Sequence, residues 1–277
     1  RMRGRAWAHN QDLWAALQAG PRLQSGDRLL CATWPLATWI ATVARARRVP
    51  VAVAVHGSEV TRLPCATEPL RRLGPMVTWL PVSGFLSREL DRLGGQRWIR
   101  AVLPMPLDLG PAPPVGPRAG LVCVARRTPL KGLERAAALA AALGEPLTVL
   151  GDGTEPVPGA NLLGRVERDE ARRRLASARA AVLLPREDPA GRGAEGLGLA
   201  LLEAAAAGTP VIGCRTGGVP EAVGPGLLLD NPDAPDLSLV RRLLNDPGAG
   251  PAARRWVCEN HGPERFVDAL ETTWNLN

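Results

Sequence analysis

Two glutamates, Glu195 and Glu203, bracket the segment of this sequence whose residue types and spacing are best suited to chemistry. They open and close the run Glu195-Gly-Leu-Gly-Leu-Ala-Leu-Leu-Glu203, which continues through four alanines into Gly208-Thr209-Pro210. Gly196 and Gly198 permit a tight, closely approached turn at a strand-to-helix junction. The alanine-rich stretch after them reads as a helix that packs close to a sheet. Gly208 supplies its left-handed end, and Thr209-Pro210 prevents continuation. The first turn, with the amides around Leu197 to Leu199, then offers unpaired N–H groups and the positive end of a dipole to an anion. A diphosphate there would be flanked by two carboxylates that accept hydrogen bonds from sugar hydroxyls. The same residues also fit a plainer role, with Glu195 as a dipole partner and Glu203 as a solvated helix residue.

A second segment, Val122-Cys-Val-Ala-Arg126-Arg-Thr-Pro-Leu-Lys131-Gly132, reads as a strand, a loop and a helix start. Arg126 and Lys131 lie on that loop, at the edge where open α/β sheets bind ligands. A guanidinium fork and an ammonium point charge together suit a diphosphate. Arg126 also fits a surface arginine. Lys131 is the single lysine among 34 basic residues, so a composition that uses arginine elsewhere has kept lysine here. In the first part of the chain, Val53-Ala-Val-His56-Gly57-Ser58-Glu59 reads as an apolar strand ending in an imidazole. A lone histidine of this kind is also compatible with a structural role. Ser83 reads as a helix N-cap.

The elements around these residues alternate strand and helix, which argues for βαβ units and parallel sheets. Before the prolines we expect helices at 11–18, 35–48 and 83–93, and strands at 28–32, 51–55, 77–82 and 99–103. Six prolines between Pro104 and Pro117 mark a stiff linker. Beyond it strands are expected at 121–124, 147–150, 161–163, 180–184, 211–214 and 227–229. Helices at 133–143, 169–178 and 198–207 fit between them, a short one follows at 220–223, and three more close the chain. The first half is thin beside the second. The sequence opens without the strand and glycine-rich turn that usually begin a nucleotide-binding half, so that half is expected to be small or to lack its first strands.

Taken together, the two segments carry a resemblance. The Glu-x7-Glu run, Arg215-Thr-Gly217-Gly218-Val-Pro-Glu221 after it and Arg-x4-Lys-Gly before it resemble the retaining glycosyltransferases of family 4. Asn161-Leu-Leu-Gly164-Arg-Val166 is similar to that family's loop beside the nucleotide base. The insertion from Arg186 to Ala194 is loosely similar to the phosphatidylinositol mannoside mannosyltransferases. The resemblance implies the GT-B fold, two Rossmann-like domains facing a cleft. It places an N-terminal acceptor domain over 1–110, a nucleotide-sugar domain over 117–262, and a last helix, 263–277, returning to the first domain. It gives Glu203 the ribose hydroxyls, Val166 the base, and Glu195 hydroxyls of the transferred sugar. Arg126, Lys131 and the amides of the Gly196, Leu197, Gly198 and Leu199 turn take the diphosphate. Gly217 and Gly218 allow close backbone approach to the donor, and His56 contacts the sugar. Arg126, Lys131, Glu195 and His56 are the residues expected to act in transfer.

The resemblance implies a nucleoside diphosphate sugar as donor and a lipid, glycan or natural product as acceptor, with peripheral membrane contact left open, and a non-catalytic nucleotide-sugar-binding module or a related nucleotide-sugar epimerase of the same fold as the alternatives. No DxD-like pair is placed to hold a metal, so no cofactor and no metal are expected. The net charge of +7 rests almost wholly on arginine in an Ala-, Gly-, Pro- and Leu-rich chain. That fits the drift of a GC-rich genome and also an affinity for phosphates or an anionic membrane face, and no nucleic-acid partner is expected. Five dispersed cysteines form neither a disulfide framework nor CxxC spacing, which points to reduced thiols in the cytoplasm. No apolar run reaches the ~18–20 residues of a membrane-spanning helix.

Overall fold

The computed structural model describes residues 18, 20–57, 73, 76–94, 101–110, 116–188 and 194–275. The helix expected at 11–18, Ser58, Glu59 and residues 189–193 of the insertion fall wholly or largely outside them. The chain divides into two compact units, Arg1–Pro104 with Phe266–Asn277, and Met105–Arg265.

In the first unit, strands Leu29–Cys31 (β1), Val51–Val55 (β2) and Thr78–Pro81 (β3) form a parallel sheet in that order. β2 is buried along its whole length, as the unbroken apolar run requires of a strand covered on both faces. Helix Trp34–Ala46 (α1) starts with Pro35 in its first turn and buries Ala37, Ile40, Ala41 and Ala44, one face at helical spacing. The buried hydroxyl of Ser83 accepts the Leu86 amide at 3.1 Å and so caps helix Gly84–Gly94 (α2). No strand follows at 101–103. The Leu103 amide donates to the Pro81 carbonyl at 2.8 Å, but Pro104 and Pro106 lack the amides that would extend a ladder.

The second unit is built from β4 (Leu121–Val124), α3 (Leu133–Leu143), β5 (Leu147–Leu150), β6 (Ala160–Gly164), α4 (Arg168–Ser177), β7 (Ala180–Val182) and α5 (Leu199–Ala206). After these come β8 (Val211–Cys214), α6 (Val219–Val223), β9 (Leu227–Leu229), α7 (Leu237–Asn245) and α8 (Ala249–His261). The six strands are parallel in the order β6-β5-β4-β7-β8-β9. The chain runs outward from β4 to the β6 edge, then crosses back to β7. The topological switch therefore lies between β4 and β7, and the loops leaving these two strands share one crevice.

Residues 105–110 group with this second unit, although the proline run puts the expected boundary at 110. Their polar groups explain why. The Leu107 amide donates to the His261 carbonyl at 3.1 Å, and Arg254 donates to the carbonyls of Leu109 (3.3 Å) and Gly110 (3.0 Å).

The last helix, Pro263–Asn275 (α9), supplies the remainder of the first unit. Leu270 is buried with Ala52, Ala54, Leu80 and Leu103, and Phe266, Ala269 and Trp274 pack beside it. Phe266, Leu270 and Trp274 stand at i, i+4 and i+8 and share one face of the helix. Val267 departs from it, being 48% exposed, because its step of 100° along the helix turns it off that face.

Cys31, Cys123 and Cys214 are buried, whereas Cys258 is exposed. Burial lifts the Cys31 thiol to about 11 and the Cys123 thiol to about 12, so both stay protonated and unreactive at neutral pH. Among the described residues no helix is long and apolar enough to cross a membrane.

Candidate active site

The crevice between β4 and β7 brings together Lys131 and Glu195. Lys131 ends a short 3-10 turn, Pro129–Lys131, on the loop after β4. Glu195 lies on the long loop after β7. Their side chains pair, Lys131 Nζ donating to Glu195 Oε2 at 2.5 Å, with only 27% and 15% of the two side chains exposed. The other carboxylate oxygen, Oε1, accepts the Gly198 amide at 3.3 Å. One glutamate thus neutralises the cation of one loop and caps the start of α5 on the other. The resemblance assigned this lysine to the diphosphate and this glutamate to the sugar, and did not anticipate their direct pairing.

Two close backbone approaches set this arrangement. A Cβ on Gly132, which has φ +59°, would lie 1.9 Å from the Leu184 carbonyl oxygen, so the loops after β4 and β7 touch only because residue 132 is glycine. A Cβ on Gly218 would lie 2.1 Å from the Gly196 oxygen, and one on Gly217 2.3 Å from the Glu195 oxygen. The Gly218 amide donates to the Glu195 carbonyl at 2.8 Å. Gly217 and Gly218 therefore approach the 195–196 backbone, fixing the turn that carries the carboxylate. Gly196, Leu197 and Gly198 are buried beneath it, and Leu199 faces outward. Gly198 adopts φ +92°, which frees the following amides to point out of the helix start.

Arg126 is exposed on the loop after β4, and Val166 is half-buried between β6 and α4. Nearby Asp152 is anchored to the loop after β6, its Oδ1 accepting the Arg165 amide at 3.0 Å. His56 belongs to the first unit. It follows β2 directly, is exposed, and its Nε2–H donates to the Ala32 carbonyl at 3.1 Å. Among the described residues no three His, Cys, Asp or Glu side chains assemble as a metal site.

Glu203, in the second turn of α5, lines a cavity of about 310 Å³ between α4, α5 and residues 105–109. That volume lies at the lower end of small-molecule sites. Glu203 is exposed at the cavity mouth, and partial desolvation of its carboxyl raises it above the ordinary range, while Arg168 and Arg172 pull it down. The same two arginines face Asp108. Arg172 Nη2 lies 3.0 Å and Arg168 Nη2 3.4 Å from Asp108 Oδ2, and Arg172 also donates to the Asp108 carbonyl at 2.6 Å. The Arg172 charge, its hydrogen bond and the Arg168 charge hold the Asp108 carboxyl below its usual range.

Sequence reasoning missed Asp108, Arg168 and Arg172. The prolines hid the first inside a linker. The two arginines stand at i and i+4 on a helix directly after the Val166 loop, a spacing that puts them on one face and could have marked them.

The family of glycosyl transferases group 1 matches residues 117–265. A GDP-mannose-dependent monoacylated alpha-(1-6)-phosphatidylinositol monomannoside mannosyltransferase of Corynebacterium glutamicum is 30% identical over 283 residues, 86% of this chain and 74% of that protein. The GDP-mannose-dependent alpha-(1-6)-phosphatidylinositol monomannoside mannosyltransferase of Mycobacterium tuberculosis is 29% identical over 250 residues, 75% of this chain and 64% of its own length. In structure, the chain is similar to HepE of Anabaena in complex with UDP and glucose, at a TM-score of 0.71 and 14% identity over 93% of this chain and 80% of that one. This last likeness shows the fold, which is GT-B.

Proposed function

This chain belongs to the group 1 glycosyltransferases, and on that premise we propose that it moves a hexosyl group from a nucleoside diphosphate sugar to an acceptor hydroxyl with retention at the anomeric carbon. The observation that carries the reading is the pairing of Lys131 with Glu195 at the start of α5, on the same helix as the Glu203 cavity. As the bond between the anomeric carbon and the diphosphate oxygen breaks, the electron pair leaves with the diphosphate and negative charge grows there, while the acceptor oxygen bonds the anomeric carbon and its proton passes to the departing diphosphate. Lys131, Arg126 and the first amides of α5 are preorganised donors for that charge, which is how such groups lower a barrier. Glu195 accepts from hydroxyls of the transferred sugar, and Glu203 from the ribose hydroxyls. His56 keeps the role that the resemblance gives it, a contact to the donor sugar.

Protein cations take the place a divalent metal would fill, so transfer proceeds in chelator. The similarity to mannosyltransferases of phosphatidylinositol mannosides supports a mannosyl donor and a lipid mannoside acceptor, met at a membrane surface from the cytoplasmic side. The test is incubation with a panel of nucleotide sugars and lipid mannoside acceptors. Acceptor-dependent release of nucleoside diphosphate, unchanged by EDTA, with the donor's anomeric configuration in the product by NMR, is expected. Inverted configuration, or release abolished by EDTA and restored by Mg²⁺, would contradict the proposal.

A further inference from the structure

The Lys131–Glu195 pair joins two loops, and its two ends are held differently. The Glu195 end is fixed by the close approach of Gly217 and Gly218. The Lys131 end rests on the loop after β7. There the Arg186 amide donates to the Leu130 carbonyl at 2.9 Å, and Gly132 packs against the Leu184 carbonyl and Pro185. The side chain that ties this junction down is Arg135, in the first turn of α3, whose own amide donates to the Gly132 carbonyl at 3.1 Å. Its guanidinium donates through Nη1 to the Pro185 carbonyl at 3.0 Å. Through Nε and Nη2 it donates to the two carboxylate oxygens of Asp233, at 2.8 and 2.6 Å. Asp233 comes from the loop after β9. We propose that Arg135, locked by Asp233, is a positioning residue that sets Lys131 for its work on the diphosphate. The proposal rests on the donor-site reading above.

The geometry calls for arginine. One edge of the planar guanidinium takes the carboxylate with two bonds while Nη1 takes the carbonyl. A lysine keeps the charge but has no fork to hold Asp233 while reaching Pro185. The Arg135 side chain is only 13% exposed, against 54% for Asp233, so the cation is withdrawn and the carboxylate neutralises it from the solvent side. The Arg135 hydrogen bonds hold the Asp233 carboxyl below its usual range, and the pair is ionised at neutral pH. Asp233 is itself preset, its amide donating to Asn231 Oδ1 at 3.1 Å. Arg186 adds a second anchor to the same carboxylate, its Nη2 3.5 Å from Oδ1, while its Nε donates to Glu134 at 2.5 Å. Arg135 thus acts on the lysine through backbone, the Pro185 carbonyl on one side and Gly132 on the other. A displacement of about 1 Å at a reacting group is enough to cost ~10²-fold in rate, so this junction decides how well the ammonium meets the departing diphosphate.

A residue that merely stabilises the domain would slow transfer by the same factor whether or not Lys131 is present. One that acts through Lys131 would not. Turnover of the full chain, read as nucleoside diphosphate release, is therefore compared for Asp233→Ala and Arg135→Lys, each alone and combined with Lys131→Met. Each is expected to lower kcat by ~10–100-fold in the parent and by less than ~2-fold in the Lys131→Met background, the non-additivity of residues linked by contacts. The sole lysine of the chain provides a second readout. In protein carrying carbon-13-labelled lysine, the Cε–Hε signal of Lys131 should move in Asp233→Ala toward its position in Glu195→Gln. The same factor in both backgrounds, no loss in either, or a lysine signal that Asp233→Ala leaves in place would overturn the inference. If the parent releases no nucleoside diphosphate, or Lys131→Met turns over as the parent does, the donor-site reading fails and this inference fails with it. A loss confined to Lys131→Met overturns the inference alone.

Discussion

Replacing Lys131 by methionine separates what the Lys131–Glu195 pair does for the fold from what the lysine does for transfer. The pair is a charge-assisted hydrogen bond of 2.5 Å between side chains mostly withdrawn from solvent. Such bonds contribute about 1.5–3 kcal/mol, and removing one partner leaves the other desolvated and uncompensated. Glu195 would keep only the Gly198 amide at 3.3 Å. At roughly 2–4 °C per kcal/mol for a domain of 150–250 residues, Lys131→Met should lower Tm by roughly 5 °C. The double variant Lys131→Met/Glu195→Gln carries neither charge and should recover most of that loss. Turnover should not recover, because the diphosphate still lacks its cation, and a deficit of ~10²–10³-fold is expected in both variants. Thermal denaturation and nucleoside diphosphate release on the same preparations give both numbers. A double variant as unstable as the single one, or one with restored turnover, would refute the reasoning.

Three further outcomes are expected. The Glu203 carboxyl is raised in the folded protein, chiefly by partial desolvation, an effect softened by its solvent exposure, so its contribution to stability is fully present below the unfolded pKa and is lost as pH rises through the folded one. Glu203→Gln should therefore melt higher than the parent at pH 7 but not at pH 3, while nucleoside diphosphate affinity falls ~10-fold with the lost charged acceptor; an unchanged Tm difference across that range would contradict the assignment. Gly218→Ala places a Cβ 2.1 Å from the Gly196 oxygen and should cost at least ~2 kcal/mol in denaturant unfolding, whereas Gly116→Ala, with nothing within 4 Å, should be neutral. Leu270→Ala should cost ~2–5 kcal/mol and Val267→Ala less than ~0.5 kcal/mol in the same assay, since only Leu270 joins the core of the first unit.

Much of the second unit was legible because its signals are local. The glycine pair before α5, the Gly208 stop and the continuous apolar run of β8 each specify their element without reference to the rest of the chain. Lys131 was legible for a different reason, its rarity in an arginine-rich sequence. The pairing of Lys131 with Glu195 was not, since it depends on the strand order that brings the β4 and β7 loops to one crevice. Asp108 was missed because its place on the cavity comes from hydrogen bonds to α4 and α8 that no local pattern encodes. At 101–103, the described end of the strand expected over 99–103, the apolar run was right but the prolines after it removed the donors. Gly217 and Gly218 were expected to let the backbone approach the donor. What they approach, the 195–196 backbone, appears only when the loop after β8 is folded against the loop after β7.

The central claim is that Glu203 holds the nucleoside and Glu195 the transferred sugar, on opposite ends of one turn and helix. Calorimetric titration of Glu203→Ala and Glu195→Ala with GDP and with GDP-mannose tests it most directly. Glu203→Ala should weaken both ligands by about the same factor, ~10-fold or more for a lost charged acceptor, whereas Glu195→Ala should weaken GDP-mannose and leave GDP within ~2-fold of the parent, inside the scatter of a neutral change. Equal losses of both ligands in both variants would contradict the division of labour on which the account rests.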